Sequence, residues 1–153
     1  MHLTTFSDYS LRVMMYLGIQ HGQLVTISDI AKAYKISENH LTKVVHHLSQ
    51  HGYVDTVRGK GGGLRLVRDP GTVNIGEMIR ITEGDTGLLP CLDTDGKCCI
   101  QPSCRLIGIL RMAQDALFSV LNQYTLTDLL HNDEQLTHIL MHPRSTSGIP
   151  LPS

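Results

Sequence analysis

No apolar stretch of this chain approaches the roughly 20 residues that a membrane-spanning helix needs. The first residues, Met1 to Phe6, show neither the basic stretch nor the apolar run of a secretory signal. A cytoplasmic protein without a membrane partner is therefore expected. Cysteine is missing from the first 90 residues, and all four thiols fall between Cys91 and Cys104. A disulfide scaffold spreads its cysteines to staple distant loops in an oxidising compartment, so bunching of this kind points to a metal or redox site.

Net charge is nearly absent as well, at −1, which taken whole argues against nucleic acid. The distribution argues for it. Residues 1–68 hold eight Lys/Arg against four Asp/Glu, whereas residues 69–153 hold five against ten. A basic half joined to an acidic half is the pattern of a DNA reader with a separate sensing and assembly part. There is no internal repeat. The apolar content of 41% and charged content of 18% are those of a folded globular chain, and 153 residues are about one domain's worth.

Apolar spacing predicts a helix over 6–20, with Leu11, Met14, Met15 and Ile19 on one stripe and Ser7 or Asp8 as its cap. Thr26 or Ser28 then caps a short helix over 29–34. After a break at Lys35 and Ile36, Ser37 caps a longer one through Gln50. Leu41, Val44, Val45 and Leu48 form its inner stripe and leave Asn39, His40, Lys43, His46 and His47 outside. Two helices joined by a few residues, the second polar on its outer face, make a helix-turn-helix.

A strand-like run over 52–57, a glycine-rich turn over 58–63 and a return strand over 64–68 then form a hairpin wing. Its tip carries Arg58 and Lys60 among glycines that let the backbone approach a phosphate or a groove. The tip lacks the Gly-Lys-Ser/Thr ending of a nucleotide phosphate loop and precedes a strand, not a helix. The bases are expected to meet Ser37, Asn39, His40 and Lys43, the minor groove Arg58 and Lys60, and a phosphate Arg12.

Asn74 caps a further helix over 75–83. Residues 84–103 read as irregular. A long helix over 104–123 follows, with Leu106, Leu110, Ala113, Leu117, Val120 and Leu121 near heptad spacing, a stripe suited to pairing with a second copy. A short turn is expected over 127–130, and a disordered tail from His142. The fold class is thus mainly α: a winged helix-turn-helix with a β-hairpin wing and a long C-terminal dimerisation helix. The expected division is 1–83 for DNA, 84–103 for the cysteine loop, 104–131 for dimerisation and 132–153 for a flexible tail.

Six residues separate Cys91 from Cys98, and five separate Cys98 from Cys104. The tight Cys-x-x-Cys pairs typical of zinc sites do not occur. Looser spacing suits a polynuclear iron–sulfur centre, whose sulfurs must reach around a cluster. Zinc and a bare thiol sensor stay open on spacing alone. An enzyme with a cysteine nucleophile would need an activating His–Asp pair, which the sequence does not show, and would leave the wing without a purpose.

Four stretches carry a resemblance: residues 3–12, residues 36–45, the wing turn through Leu64, and Cys98 through Cys104-Arg105-Leu106. Over residues 1 to about 125 the chain resembles the IscR/NsrR-type family of dimeric iron–sulfur winged-helix regulators. The resemblance implies Cys91, Cys98 and Cys104 as cluster ligands and Cys99 as a spare thiol. It also implies Asp8 as the fourth ligand, from its own or the partner subunit. One branch of the family uses a histidine three residues after the last cysteine; here that residue is Ile107. The nitric-oxide-sensing branch fits instead. It implies a repressor that binds double-stranded operator DNA as a homodimer, carries a 4Fe–4S rather than a 2Fe–2S cluster, and releases DNA when nitric oxide attacks the cluster. A zinc-bound or thiol-redox repressor of the same fold is the alternative.

Overall fold

The computed structural model describes residues 2–84, 87–89, 92, 98–131 and 133–142. Its first helix, α1 (Thr5–Ile19), starts one residue earlier than the apolar pattern indicates. The cap is Thr4, whose hydroxyl accepts from the Ser7 N–H, and not Ser7 or Asp8. Ser7 is instead fully buried and hydrogen-bonded to Thr82. α2 (Ile27–Tyr34) opens on a reciprocal cap in which Thr26 and Asp29 satisfy each other's backbone N–H groups. Lys35, at φ 56°, turns the chain in the left-handed region, and Ser37 caps α3 (Glu38–Gln50) by accepting from the His40 N–H.

The hairpin pairs β1 (Val54–Val57) with β2 (Gly63–Leu66) antiparallel, Val54 opposite Leu66 and Val57 opposite Gly63. Gly59 and Gly61 both have positive φ in the turn. A Cβ on Gly62 would fall 2.1 Å from the Val57 carbonyl oxygen, so crowding by the turn's own backbone demands glycine there before any ligand is considered. α4 (Ile75–Glu83) is capped by Asn74, as the sequence indicates.

One core joins these elements: Val13, Met14 and Leu17 of α1, Ile30 of α2, Leu41, Val44 and Leu48 of α3, Leu64 of the hairpin, and Met78 of α4. A leucine buried this fully contributes about 1.5–3 kcal/mol relative to leaving it exposed. α5 (Arg105–Leu121) rests on α4 through a second, smaller cluster of Ile75, Ile79 and Phe118. α6 (Leu126–Leu129), begun by Thr125, returns Leu126 to the main core.

The stretch from residue 132 is not wholly a tail. Asp133–Met141 form a helix, α7, with Leu140 buried in the main core. Met141 Sδ lies 3.1 Å from Gln20 Nε2 on α1. Residues 143–153, the remainder of the expected tail, lie outside the described residues. No helix among the described residues is long and apolar enough to cross a membrane.

At one point the ends of three helices meet. Thr4, before α1, donates its N–H and its hydroxyl to Glu83 Oε1 at 2.7 and 3.0 Å. Ser7 Oγ donates to Thr82 Oγ1 at 2.7 Å. From α3, His47 Nε2 lies 3.1 Å from the Ile81 carbonyl oxygen. The α4 end that receives all four bonds runs directly into Gly84, beyond which the cysteines follow in sequence.

Candidate functional site

The inner stripe of α3 is buried, and a helix turns about 100° per residue. Asn39, Lys43 and His46 therefore project almost directly away from the core. Ser37, Asn39, His40 and Lys43 are all exposed. Ser37 Oγ also lies 3.0 Å from His40 Nδ1, so the cap and the first ring of the outer face hold each other in place. Tyr9 of α1 stands behind that ring at 6.1 Å between centroids.

His47 does not join the outer face as expected. It is half-buried, edge-on to Phe6 at 5.2 Å and bonded to the α4 carbonyl. Thr42 joins the outward-facing His46 instead. They border a groove of about 560 Å³ between α2, α3 and the hairpin, together with Thr26, Ser28, Thr56 and Arg58. Thr42 carried no sequence signal, since a threonine on an outer helix face looks like any other polar residue.

On the hairpin, Arg65 is committed to Asp55 at 2.8 Å, and the Arg68 guanidinium lies over the Tyr53 ring at 4.2 Å. Among the described residues Arg58, Lys60 and Lys43 have no ion-pair partner and are exposed. Three cations free of internal carboxylates, on the recognition helix and the wing, make a surface for a polyanion. Arg12 differs from them. Its Nε bonds both Asp8 oxygens at 3.0 and 3.1 Å, and its guanidinium carbon lies 5.5 Å from the Tyr34 ring centroid.

Of the expected thiol ligands, Cys91 lies outside the described residues. Cys98 and Cys99 are exposed free thiols, and Cys104 is a half-buried one. Cys104 occupies the N-cap position of α5 with no side-chain cap bond, so its sulfur is not spent on closing the helix. The start of a long helix favours an anionic group. An uncommitted thiol at such a start, with two more exposed thiols shortly before it, suits a thiolate-bound cluster in donor chemistry. Asp8 does not join them within this chain, because its carboxylate faces Arg12. Among the described residues no three His, Cys, Asp or Glu side chains come together to hold a metal ion.

One exposed side of α5 is apolar. Leu106, Ile109, Leu117 and Val120 are between 38% and 54% exposed. This stripe lies about 130° around the helix from the buried Ile107 and Phe118, so one side rests on α4 while the stripe is left uncovered.

The family model for Rrf2, described as an iron-dependent transcriptional regulator, matches residues 3–132. The chain belongs to the Rrf2 family. Relatives named HTH-type transcriptional regulator NsrR are 46% identical over 142 residues in Bacillus subtilis (strain 168), covering 92% of this chain and 97% of that one. In Shouchella clausii the identity is 42%, with 92% and 95% covered. Among solved structures, CymR, the global cysteine regulator of B. subtilis, superposes with a TM-score of 0.65 at 28% identity, covering 84% of this chain and 95% of that one. T. potens IscR, with a TM-score of 0.71 at 23% identity, covers 97% and 94% and shows the shared fold.

The motif resemblance, the mainly α winged-helix fold class and the assignment to a transcriptional regulator rather than an enzyme are thereby borne out. This Rrf2 protein is of the NsrR type.

Proposed function

We propose that this Rrf2 regulator is a nitric-oxide-responsive repressor that binds operator DNA as a homodimer and releases it when its iron–sulfur cluster is nitrosylated. The observation that carries the reading is the combination, in one chain of NsrR type, of an exposed helix and wing with unpaired cations, a free Cys104 at the start of α5 and an exposed free Cys98 six residues before it. Cys91, Cys98 and Cys104 would hold the cluster, with Asp8 of one subunit as its fourth ligand. When bound, the cluster supplies iron that nitric oxide can attack at the position of the weakest ligand, the carboxylate. A 4Fe–4S form is the one proposed.

Residues 1–83 read the DNA, 84–103 form the cluster loop and 104–131 pair the subunits. Asn39, His40, Lys43 and Ser37 face the major groove, and Arg58 and Lys60 the minor groove. Arg12 reaches a phosphate in whichever state leaves it unpaired from Asp8. The apolar side of α5 packs against its equivalent in the second copy, which fixes the two recognition helices for half-sites about 34–36 Å apart or a multiple of that. Small relative rotations of the subunits then lower affinity.

Anaerobic absorption spectroscopy with iron and sulfide analysis, repeated after nitric oxide, tests the cofactor. A brown protein with near-equal iron and sulfide, bleached by nitric oxide, is expected. A colourless protein carrying zinc would replace this reading with the zinc-bound or thiol-redox repressor.

A further inference from the structure

Ile81 is in the last turn of α4, where helix carbonyls lack intrahelical donors. A carbonyl oxygen can only accept, so the 3.1 Å contact fixes the proton of His47 on Nε2. His47 is thus a side-chain stopper on α4, donated by the recognition helix. Phe6 packs edge-on against the same ring, two residues from Asp8. The Thr4–Glu83 and Ser7–Thr82 bonds tie that start of α1 to the same α4 turn. The end of α4, from which the chain continues to the cysteines, and the helix carrying Asp8 therefore meet at one ring.

From this convergence we infer that His47 is a positioning residue that transmits the state of the cluster loop to the recognition helix. Its Nε2–H holds the last turn of α3 against the Ile81 carbonyl. A shift of the loop that moves the end of α4 must carry α3 with it or break this bond. The inference rests on the iron–sulfur reading above. It assigns His47 no contact with the cluster or with DNA.

The test uses the full chain, loaded anaerobically, and a duplex selected from a randomised pool by the loaded wild type. The quantity read is the ratio of cluster-free to loaded dissociation constants at one salt concentration. His47→Phe keeps the ring packing and removes the donor. His47→Ala removes the donor in a smaller side chain, so the test does not depend on one variant folding. His47→Gln keeps an N–H donor. Phe and Ala should reduce the ratio about tenfold, while Gln should retain most of it, with unchanged iron content and absorption spectrum.

Hydrogen exchange in cluster-free protein gives a second readout. The amides of 78–84 and 47–52 should exchange faster in the Phe and Ala variants than in wild type or Gln. A wild-type ratio above one that the Phe and Ala variants retain overturns the inference alone. So does an equal loss of affinity in both states, which would mark a DNA contact or a purely structural role. A wild-type ratio of one overturns the cluster reading and this inference with it.

Discussion

Arg12 holds both carboxylate oxygens of Asp8 through its Nε, at 3.0 and 3.1 Å, one helical turn along α1. A carboxylate engaged in this way is not free to ligate iron, so the pairing describes Asp8 when the cluster does not hold it. Both side chains are more than two-fifths exposed, and an exposed pair at this spacing stabilises a helix by only about 0.3–0.5 kcal/mol.

Asp8→Ala should therefore leave the melting temperature of cluster-free protein nearly unchanged and alter the loaded protein's absorption spectrum and its rate of reaction with nitric oxide. Calorimetry of the first and stopped-flow absorbance of the second check this. A large loss of stability in the cluster-free form would show that the pair matters to the fold instead.

On the DNA face, Lys60 and Asn39 should separate. Lys60→Ala removes an unpaired cation from the wing, so affinity should fall for all sequences alike and the salt dependence flatten by about one unit of slope. Asn39→Ala removes an outward amide from α3 and should cost about 1–3 kcal/mol at the base it reads while relaxing the preference there. Fluorescence anisotropy over a salt series with several duplexes distinguishes the two.

The uncovered side of α5 predicts an assembly that one charge can break. Ile109→Glu places a carboxylate on an apolar stripe without touching the Ile75–Ile79–Phe118 cluster. Light scattering should show the mass halving, with circular dichroism unchanged. A dimer that survives the substitution would move the interface elsewhere.

Acid should loosen the junction at the end of α4. Burial alone would raise the Glu83 carboxyl, but its polar neighbours Ser7 and Thr4, the latter bonded to it through both N–H and hydroxyl, outweigh burial and hold it below its ordinary value of 4.5. A carboxyl lowered by folding contributes stability that is present above its unfolded value and is lost as pH falls through the folded one. Glu83→Gln, which keeps an acceptor oxygen, should thus lose less melting temperature than wild type on acidification below about pH 4.5, with little difference at neutral pH. Thermal melts across pH check the sign.

Much of this molecule was legible in order of residues. Ser37 stands directly before the Leu41–Val44–Val45–Leu48 stripe, so α3 and its outer face could be read locally, and Asn74 announced α4 in the same way. The cap of α1 could not be chosen locally, because Thr4, Ser7 and Asp8 all qualify. Glu83 and Thr82, more than 70 residues away, decide it by bonding Thr4 and Ser7. α7 had a short signal in Leu136, Ile139 and Leu140, but its anchoring depends on Tyr16 and Gln20 of α1. His47 looked like a surface histidine for the same reason: its partner is a backbone carbonyl 34 residues on, which no spacing encodes.

The central claim is that one chain couples a thiol-bound cluster to operator affinity. It is tested most directly by titrating one operator duplex, at one fixed salt concentration, with loaded protein, with the same protein after nitric oxide, and with cluster-free protein. The account predicts tight binding by the first and a loss of at least tenfold in the other two, within the range of ordinary coupling between sites. Equal binding by all three would contradict it.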